Sequence, residues 1–206
     1  MKFNLKTVGI ALGEGKFPTL DSPVFEAFPE FADLATPEKR RITFRHLLTM
    51  SSGLKWDETT PYSNPANSER QLIASADPVR YVLEQPLAAP PGTVYNYSGG
   101  DTMLLAMTLE KTTGRRLDDY AREKLFGPLG IVDVEWVEMP FNRKLAAASG
   151  LRLRARDSAK LGQLLERGHV DRIVDQHAQR AGTRADIRLH TRQHLHHCAC
   201  KLQIRE

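Results

Sequence analysis

Up to about Gln163 the chain alternates between apolar residues at helical spacing and intervals marked by Gly, Pro and Asn. Residues 1–16 predict an amphipathic helix whose apolar members are Phe3, Val8, Ile10 and Leu12. Residues 45–50 predict a short helix ending at Ser51-Ser52-Gly53, with Gly53 as the left-handed stop. Residues 68–83 predict helix interrupted at Pro78, because proline lacks an N–H and clashes with the preceding turn. The clearest helix runs over 100–113, with Asp101 as the expected N-cap and Gly114 as the stop. A shorter helix over 117–126 ends at Gly127-Pro128. Residues 133–137 alternate as a strand does, and residues 156–167 return to helical spacing.

Beyond about Gly168 this texture stops. No Phe, Trp or Tyr occurs from Lys144 onward, and six of the seven histidines lie at or after His169. A stretch so poor in aromatics and rich in Arg and His buries too little apolar surface to offset its ordering entropy. The division expected is therefore a folded region over 1–167 and a disordered basic tail over 168–206. The abrupt change suggests a tail read in a foreign frame or appended from elsewhere.

Composition narrows the classes. The 206 residues are 41% hydrophobic and 26% charged, with a net charge of +4 and a mean hydropathy of −0.41. That is ordinary for a globular chain. No apolar run approaches the roughly 18 residues of a membrane span, so no membrane partner is expected. The first helix lacks the cleavage pattern of a signal peptide, and no export signal is expected within the chain. The basic tail has no aromatics to stack on bases, so no nucleic-acid partner is expected. Cys198 and Cys200 are poorly spaced to pair with each other, and with His194, His196 and His197 they form at most an adventitious metal-binding run. No cofactor pattern is present, and no metal site is expected.

Three stretches carry a family resemblance. The first is ITFRHLLTMSSGL, residues 42–54. The second is PGTVYNYSGGD, residues 91–101, followed by a Leu-rich helix and LFGPLGI, residues 125–131. The third is ASGLRL, residues 148–153, followed by RDSAKLGQ, residues 156–163. In this order they resemble the serine β-lactamase-like superfamily, which includes class C β-lactamases, DD-peptidases, esterases and nylon-oligomer hydrolases. The resemblance implies a helix-rich α+β fold, an incomplete β-lactamase/transpeptidase-like fold consisting mostly of the helical domain. It also implies amide or ester hydrolysis through an acyl-serine, with a small-molecule amide or ester as substrate.

That chemistry needs three clusters. A Ser-x-x-Lys at a helix N-terminus supplies the nucleophile and its lysine. A Tyr-x-Asn loop brings a phenol to the serine as proton acceptor or shuttle. A Lys/His-x-Gly strand lines the opposite wall beside the oxyanion hole. Only the second matches here. Tyr97 falls on the tyrosine position, with Ser98 and Gly99 after it, and Gly99 stands where the family carries Asn. Tyr97 is thus the implied general base or proton shuttle, with Ser98, Gly99 and Trp56 as implied substrate contacts. The departure at Gly99 leans away from β-lactams and toward other acyl amides or esters.

Counting back from Val8-Gly9-Ile10 places the lysine of the first motif near Met1 and its serine ahead of the chain. Ser52-Gly53-Leu54-Lys55 fits Ser-x-x-Lys literally, but it lies at a helix C-terminus with glycine inside it, where no helix dipole favours an oxyanion. Lys111-Thr112-Thr113-Gly114 reads as a helix end, and His46 as a packing or capping histidine. The expectation is a serine-hydrolase chain truncated and inactive alone. The alternatives are a non-catalytic remnant that binds a ligand or partner through the old cleft, and a nucleic-acid- or metal-binding role of the tail.

Overall fold

The computed structural model describes residues 2–166 and 203–205. Among the described residues seven α-helices follow one another: α1 (Lys2–Gly13), α2 (Phe44–Leu48), α3 (Ser68–Ala74), α4 (Pro78–Glu84), α5 (Gly99–Thr113), α6 (Leu117–Ala121) and α7 (Ala155–Glu166). Short 3-10 turns at Val24–Glu26, Pro29–Leu34 and Lys39–Arg41 link α1 to α2, and α6 runs into a π-type turn at Arg122–Phe126. Three short strands, β1 (Val134–Trp136), β2 (Leu151–Arg154) and β3 (Gln203–Arg205), form one sheet in that order. β1 and β2 pair antiparallel with Trp136 opposite Leu151, and β2 and β3 pair parallel with Leu153 opposite Ile204. The architecture is helix-rich α+β, as expected. The domain boundary expected near residue 168 and most of the basic tail lie outside the described residues.

α5 is the axis of the molecule. Every residue from Gly99 to Leu109 is buried, and α1, α2, α3, α4 and α6 all pack on it. Its inner turns carry Met103, Leu104, Leu105, Ala106 and Leu109, so it is apolar all round, as a central helix must be. Phe44 and Leu47 of α2, Val82 and Leu83 of α4, and Leu117 and Tyr120 of α6 belong to the same core.

Local chemistry explains most boundaries. In α2, Thr43 Oγ1 accepts from the His46 N–H, and the Thr43 N–H donates to His46 Nδ1, a capping box with imidazole in place of a carboxylate. Pro78 begins α4 rather than breaking a longer helix, because Asp77 Oδ1 accepts from the N–H groups of Val79 and Arg80 at 3.0 Å each. Gly114 closes α5 in the left-handed conformation, φ +67°.

Two expectations need correction, and one element was not foreseen. Ser98, not Asp101, caps α5: its hydroxyl accepts from the Asp101 N–H at 3.0 Å. α2 ends at Leu48, and Met50, not Gly53, takes the first left-handed position after it, φ 55°. The Met50 side chain is buried, and its carbonyl accepts the Asn96 N–H at 2.8 Å. β2 falls in a stretch that periodicity alone leaves unassigned.

Gly53 still has a strict role. Its φ is +80°, and a Cβ there would lie 2.2 Å from the Ala89 carbonyl oxygen. Gly15 has a similar φ of +68°, but open space around it. Both Gly→Ala changes carry the left-handed penalty of roughly 1 kcal/mol. Gly53→Ala adds a backbone collision and should therefore lower stability clearly more than Gly15→Ala. Urea denaturation of the two variants checks this, and equal losses would contradict it.

Candidate functional site

The three matched stretches meet at the N-terminus of α5. The segment before it makes a turn at Pro90-Pro91-Gly92, with Gly92 at φ +85°. This segment is tied to the turn after α2 by two backbone bonds: Gly92 N–H to Ser51 O and Asn96 N–H to Met50 O, each 2.8 Å. The Asn96 side chain donates to Trp56 O at 3.0 Å. Tyr97 follows at once, half-buried in the loop that enters α5. Tyr95 and Val94, just before it, are exposed.

Ser98 and Gly99 turn inward. The Ser98 hydroxyl is used in the helix cap and is buried. The Gly99 N–H donates to Glu58 Oε1 at 2.5 Å, and the same oxygen accepts from the Trp56 indole N–H at 2.7 Å. Trp56 is 5% exposed. Its ring lies against Gly100, where a Cβ would come within 2.7 Å of the indole, and it meets Tyr81 edge to face at 6.0 Å. Tyr97, Ser98, Gly99 and Trp56 are thus neighbours, but in this structure the last three serve the corner itself.

The departure at Gly99 has a structural counterpart. A Cβ at this position would lie 1.9 Å from Glu69 Oε2 and 2.8 Å from Glu58 Oε1. Glu69, on α3, is itself buried and accepts from the Ser149 hydroxyl at 2.9 Å through its other oxygen. Two carboxylates therefore occupy the space an asparagine side chain would need. Sequence reasoning missed both glutamates, since Glu69 reads as an ordinary acidic residue in a first helical turn.

Ser52 is 3% exposed and donates its hydroxyl to Asp101 Oδ1 at 2.8 Å. Lys55 is exposed and lies apart from this bond. The literal Ser-x-x-Lys is therefore a turn with an inward serine and an outward lysine. Asp101 is fully buried, and burial raises its carboxyl to about 7, against the opposing effect of the Ser52 and Ser98 hydroxyls and the Ser52 N–H. Lys111 bonds to Glu30 and to Ala27 O on the far end of α5, as a helix-end residue does. Among the described residues no His, Cys, Asp and Glu cluster could hold a metal ion. The His194 to Cys200 run lies outside them.

His46 is placed by its capping role. Its Nε2 abuts Gly92, where a Cβ would come within 2.9 Å, and burial, aided by the Arg45 charge, lowers its pKa. The unfolded chain therefore takes up a proton before the folded one. The stability His46 contributes is present above pH 6.5, its ordinary value, and is lost as pH falls from there through the folded value. His46→Gln keeps an acceptor at the capping position and cannot titrate. Its melting temperature should fall less than that of the parent between pH 7 and pH 5, as calorimetry would show.

The Gly99 geometry gives a second test. Gly99→Asn should cost about 1–3 kcal/mol by overpacking, and Glu69→Ala in the same chain should recover part of it. Additive losses in denaturant unfolding would contradict the steric account.

Comparison with known proteins identifies the family. A family model described as Beta-lactamase matches residues 7–193. A lovastatin esterase from Penicillium rubens is 30% identical over 137 residues, covering 63% of this chain and 32% of that protein. A monacolin J acid methylbutanoyltransferase from Aspergillus terreus is 32% identical over 117 residues, covering 54% of this chain and 27% of that protein. The chain thus spans about a third or less of the length of these curated relatives. The crystal structure of a penicillin-binding protein from Bacillus halodurans superposes with a TM-score of 0.60 at 19% identity, over 82% of this chain and 58% of that one, a likeness of fold alone. With the family model covering most of its length and the fold matching a penicillin-binding protein, this chain belongs to the β-lactamase family.

Proposed function

We propose that this chain contributes the tyrosine wall of a serine acyl-hydrolase site that acts on esters or amides of neutral acyl groups, with Tyr97 as the proton acceptor or shuttle. The Gly99 corner carries the substrate preference. An asparagine side chain would offer an N–H donor to a substrate carbonyl. Glu58, half-buried, stands in its place as an acceptor, with the buried Glu69 behind it. Such a wall disfavours an anionic acyl group such as that of a β-lactam, because like charges repel at close range. The names of the two fungal relatives, an esterase and a methylbutanoyl transferase, support the same leaning.

In this reading Ser98, Gly99 and Trp56 act mainly as supports. Ser98 caps α5, Gly99 admits the carboxylates, and Trp56 packs beneath Gly100 and fixes Glu58. They set where Tyr97 lies rather than reading the substrate themselves.

The reaction needs a nucleophilic serine that attacks the acyl carbon, expels the alcohol or amine, and is then freed by water. A phenol with its ordinary pKa near 10 is a poor base unless an ammonium stands beside it. Within these 206 residues the one literal Ser-x-x-Lys begins at Ser52, which is buried and bonded to Asp101. A polypeptide made of these residues alone is therefore inactive in our reading.

Two measurements test this. The 206-residue chain should hydrolyse neither a chromogenic ester nor a chromogenic β-lactam above background, and a fluorophosphonate should add no mass. Stoichiometric labelling, abolished by Ser52→Ala, would overturn the inactivity. In a fusion that supplies a Ser-x-x-Lys helix ahead of residue 7 and a Lys/His-x-Gly strand after residue 166, ester hydrolysis should appear, and Tyr97→Phe should lower kcat by about a hundredfold or more. An active fusion indifferent to Tyr97→Phe would remove the role given to the phenol.

A further inference from the structure

Asp101 is a carboxyl group that the core encloses at the Tyr97 corner, and the proposed chemistry gives it no task. It is the third residue of α5 and has no exposed surface. Its Oδ1 accepts the Ser52 hydroxyl at 2.8 Å, and its N–H donates to the Ser98 hydroxyl at 3.0 Å. Its Oδ2 is buried with no hydrogen-bond partner among the described residues. One residue thus touches both sides of the corner: the turn after α2, and the residue that follows Tyr97.

The same turn holds the residue that precedes Tyr97. Met50 O accepts the Asn96 N–H, and Ser51 O accepts the Gly92 N–H. Ser52 comes next, so the three consecutive residues 50–52 bind the loop at two backbone points and α5 at Asp101. We propose that Asp101 is a positioning residue for Tyr97: by bridging Ser52 and Ser98 it locks the turn, the loop and the start of α5 into one unit that carries the phenol. The proposal rests on the reading of Tyr97 as the reactive group, but its test does not.

The surroundings of Asp101 are neutral. The groups facing it are the Ser52 hydroxyl and N–H and the Ser98 hydroxyl. Charged side chains of the elements packed on α5 are engaged elsewhere. Glu69 of α3 and Glu58 lie over Gly99, and His46 of α2 abuts Gly92. Lys6 of α1 donates to Leu161 O. Arg80 and Glu84 of α4 pair with each other, and Asp118 of α6 pairs with Arg116. A charge on Asp101 would meet no counter-charge and would leave Oδ2 bare, so burial favours the protonated acid, although the Ser52 and Ser98 hydroxyls pull the other way. The sign of the pH effect follows. The carboxyl is raised from 3.8 to about 7 in the folded chain, so the stability it contributes is full below 3.8 and is lost as pH rises through about 7, where ionisation sets an unsolvated charge in the corner and loosens it.

The test uses the 206-residue chain with ¹⁵N labelling and ¹³Cζ-labelled tyrosine, the Tyr97 signal being assigned by Tyr97→Phe. Hydrogen exchange at Asn96 is followed from pH 5 to pH 8, after its intrinsic base catalysis is divided out. The expected result is a loss of protection of about tenfold or more across this range, with the Tyr97 signal moving in step. Asp101→Asn keeps an acceptor for Ser52 and cannot ionise. It should abolish the loss of Asn96 protection with rising pH, leaving only the opposite effect of His46, and keep the low-pH position of the Tyr97 signal. Tyr120, on α6, serves as the control and should not move. Should Asp101→Asn fail to fold, Ser52→Ala provides the second reading: it should reduce Asn96 protection at pH 5 and raise the Asp101 carboxyl titration followed by ¹³C. The proposal is overturned if Asn96 and Tyr97 respond to pH equally in the parent and Asp101→Asn. It is also overturned if Tyr120 moves as much as Tyr97, or if Ser52→Ala changes neither observable. An inert Tyr97 in the fusion assay would leave these signals untouched, so the two readings fail separately.

Discussion

A helix whose first turn is buried must satisfy its leading N–H groups without water, and this requirement organises the whole corner around α5. Gly99 and Asp101 lie in that first turn, in the middle of the core. Glu58 answers the N–H of Gly99, and the Ser98 hydroxyl answers that of Asp101. Each answer brings in another element. Glu58 carries Trp56 with it, Trp56 supports Asn96 through its carbonyl, and Asn96 leads directly to Tyr97. Acidic groups at a helix N-terminus also meet the positive end of the helix dipole, which favours the same arrangement.

The apolar surroundings give these polar contacts their weight. Trp56 fits only because Gly100 has no side chain, and Glu69 reaches the corner only because Gly99 has none. The paired glycines therefore let a large indole and a carboxylate approach the backbone of one helix from two sides. A methyl group at either position would be felt, since interiors packed this closely have no slack to absorb it.

Membership of the β-lactamase family and the details of this corner fit together with one adjustment. The loop that carries Tyr97 precedes the central helix, and at Gly99, after Tyr97-Ser98, two carboxylates stand where a side chain would lie. In the reading proposed above, this changes what the corner offers a substrate while the scaffold stays the same, and one fold hosts many chemistries in this way.

The sequence by itself determined what depends on near neighbours. The break in helix at Pro78 and the Gly114 end of α5 follow from short-range backbone rules, and each is legible in a window of a few residues. The family, too, was legible, because three blocks recur in order along the chain. Only the tertiary structure decided the rest. Asp101 reads as a surface cap, yet Ser98 takes that role, and Asp101 becomes a buried acid because Ser52, far away in sequence, closes over it. Trp56 reads as a rim aromatic but is enclosed by α5 and Tyr81. Glu69 reads as an ordinary charge at a helix start, and only the packing of α3 against α5 sets it in the space left by Gly99. Burial and partner choice are properties of surfaces that meet across the fold, and periodicity along a single segment contains no information about which surface it will meet.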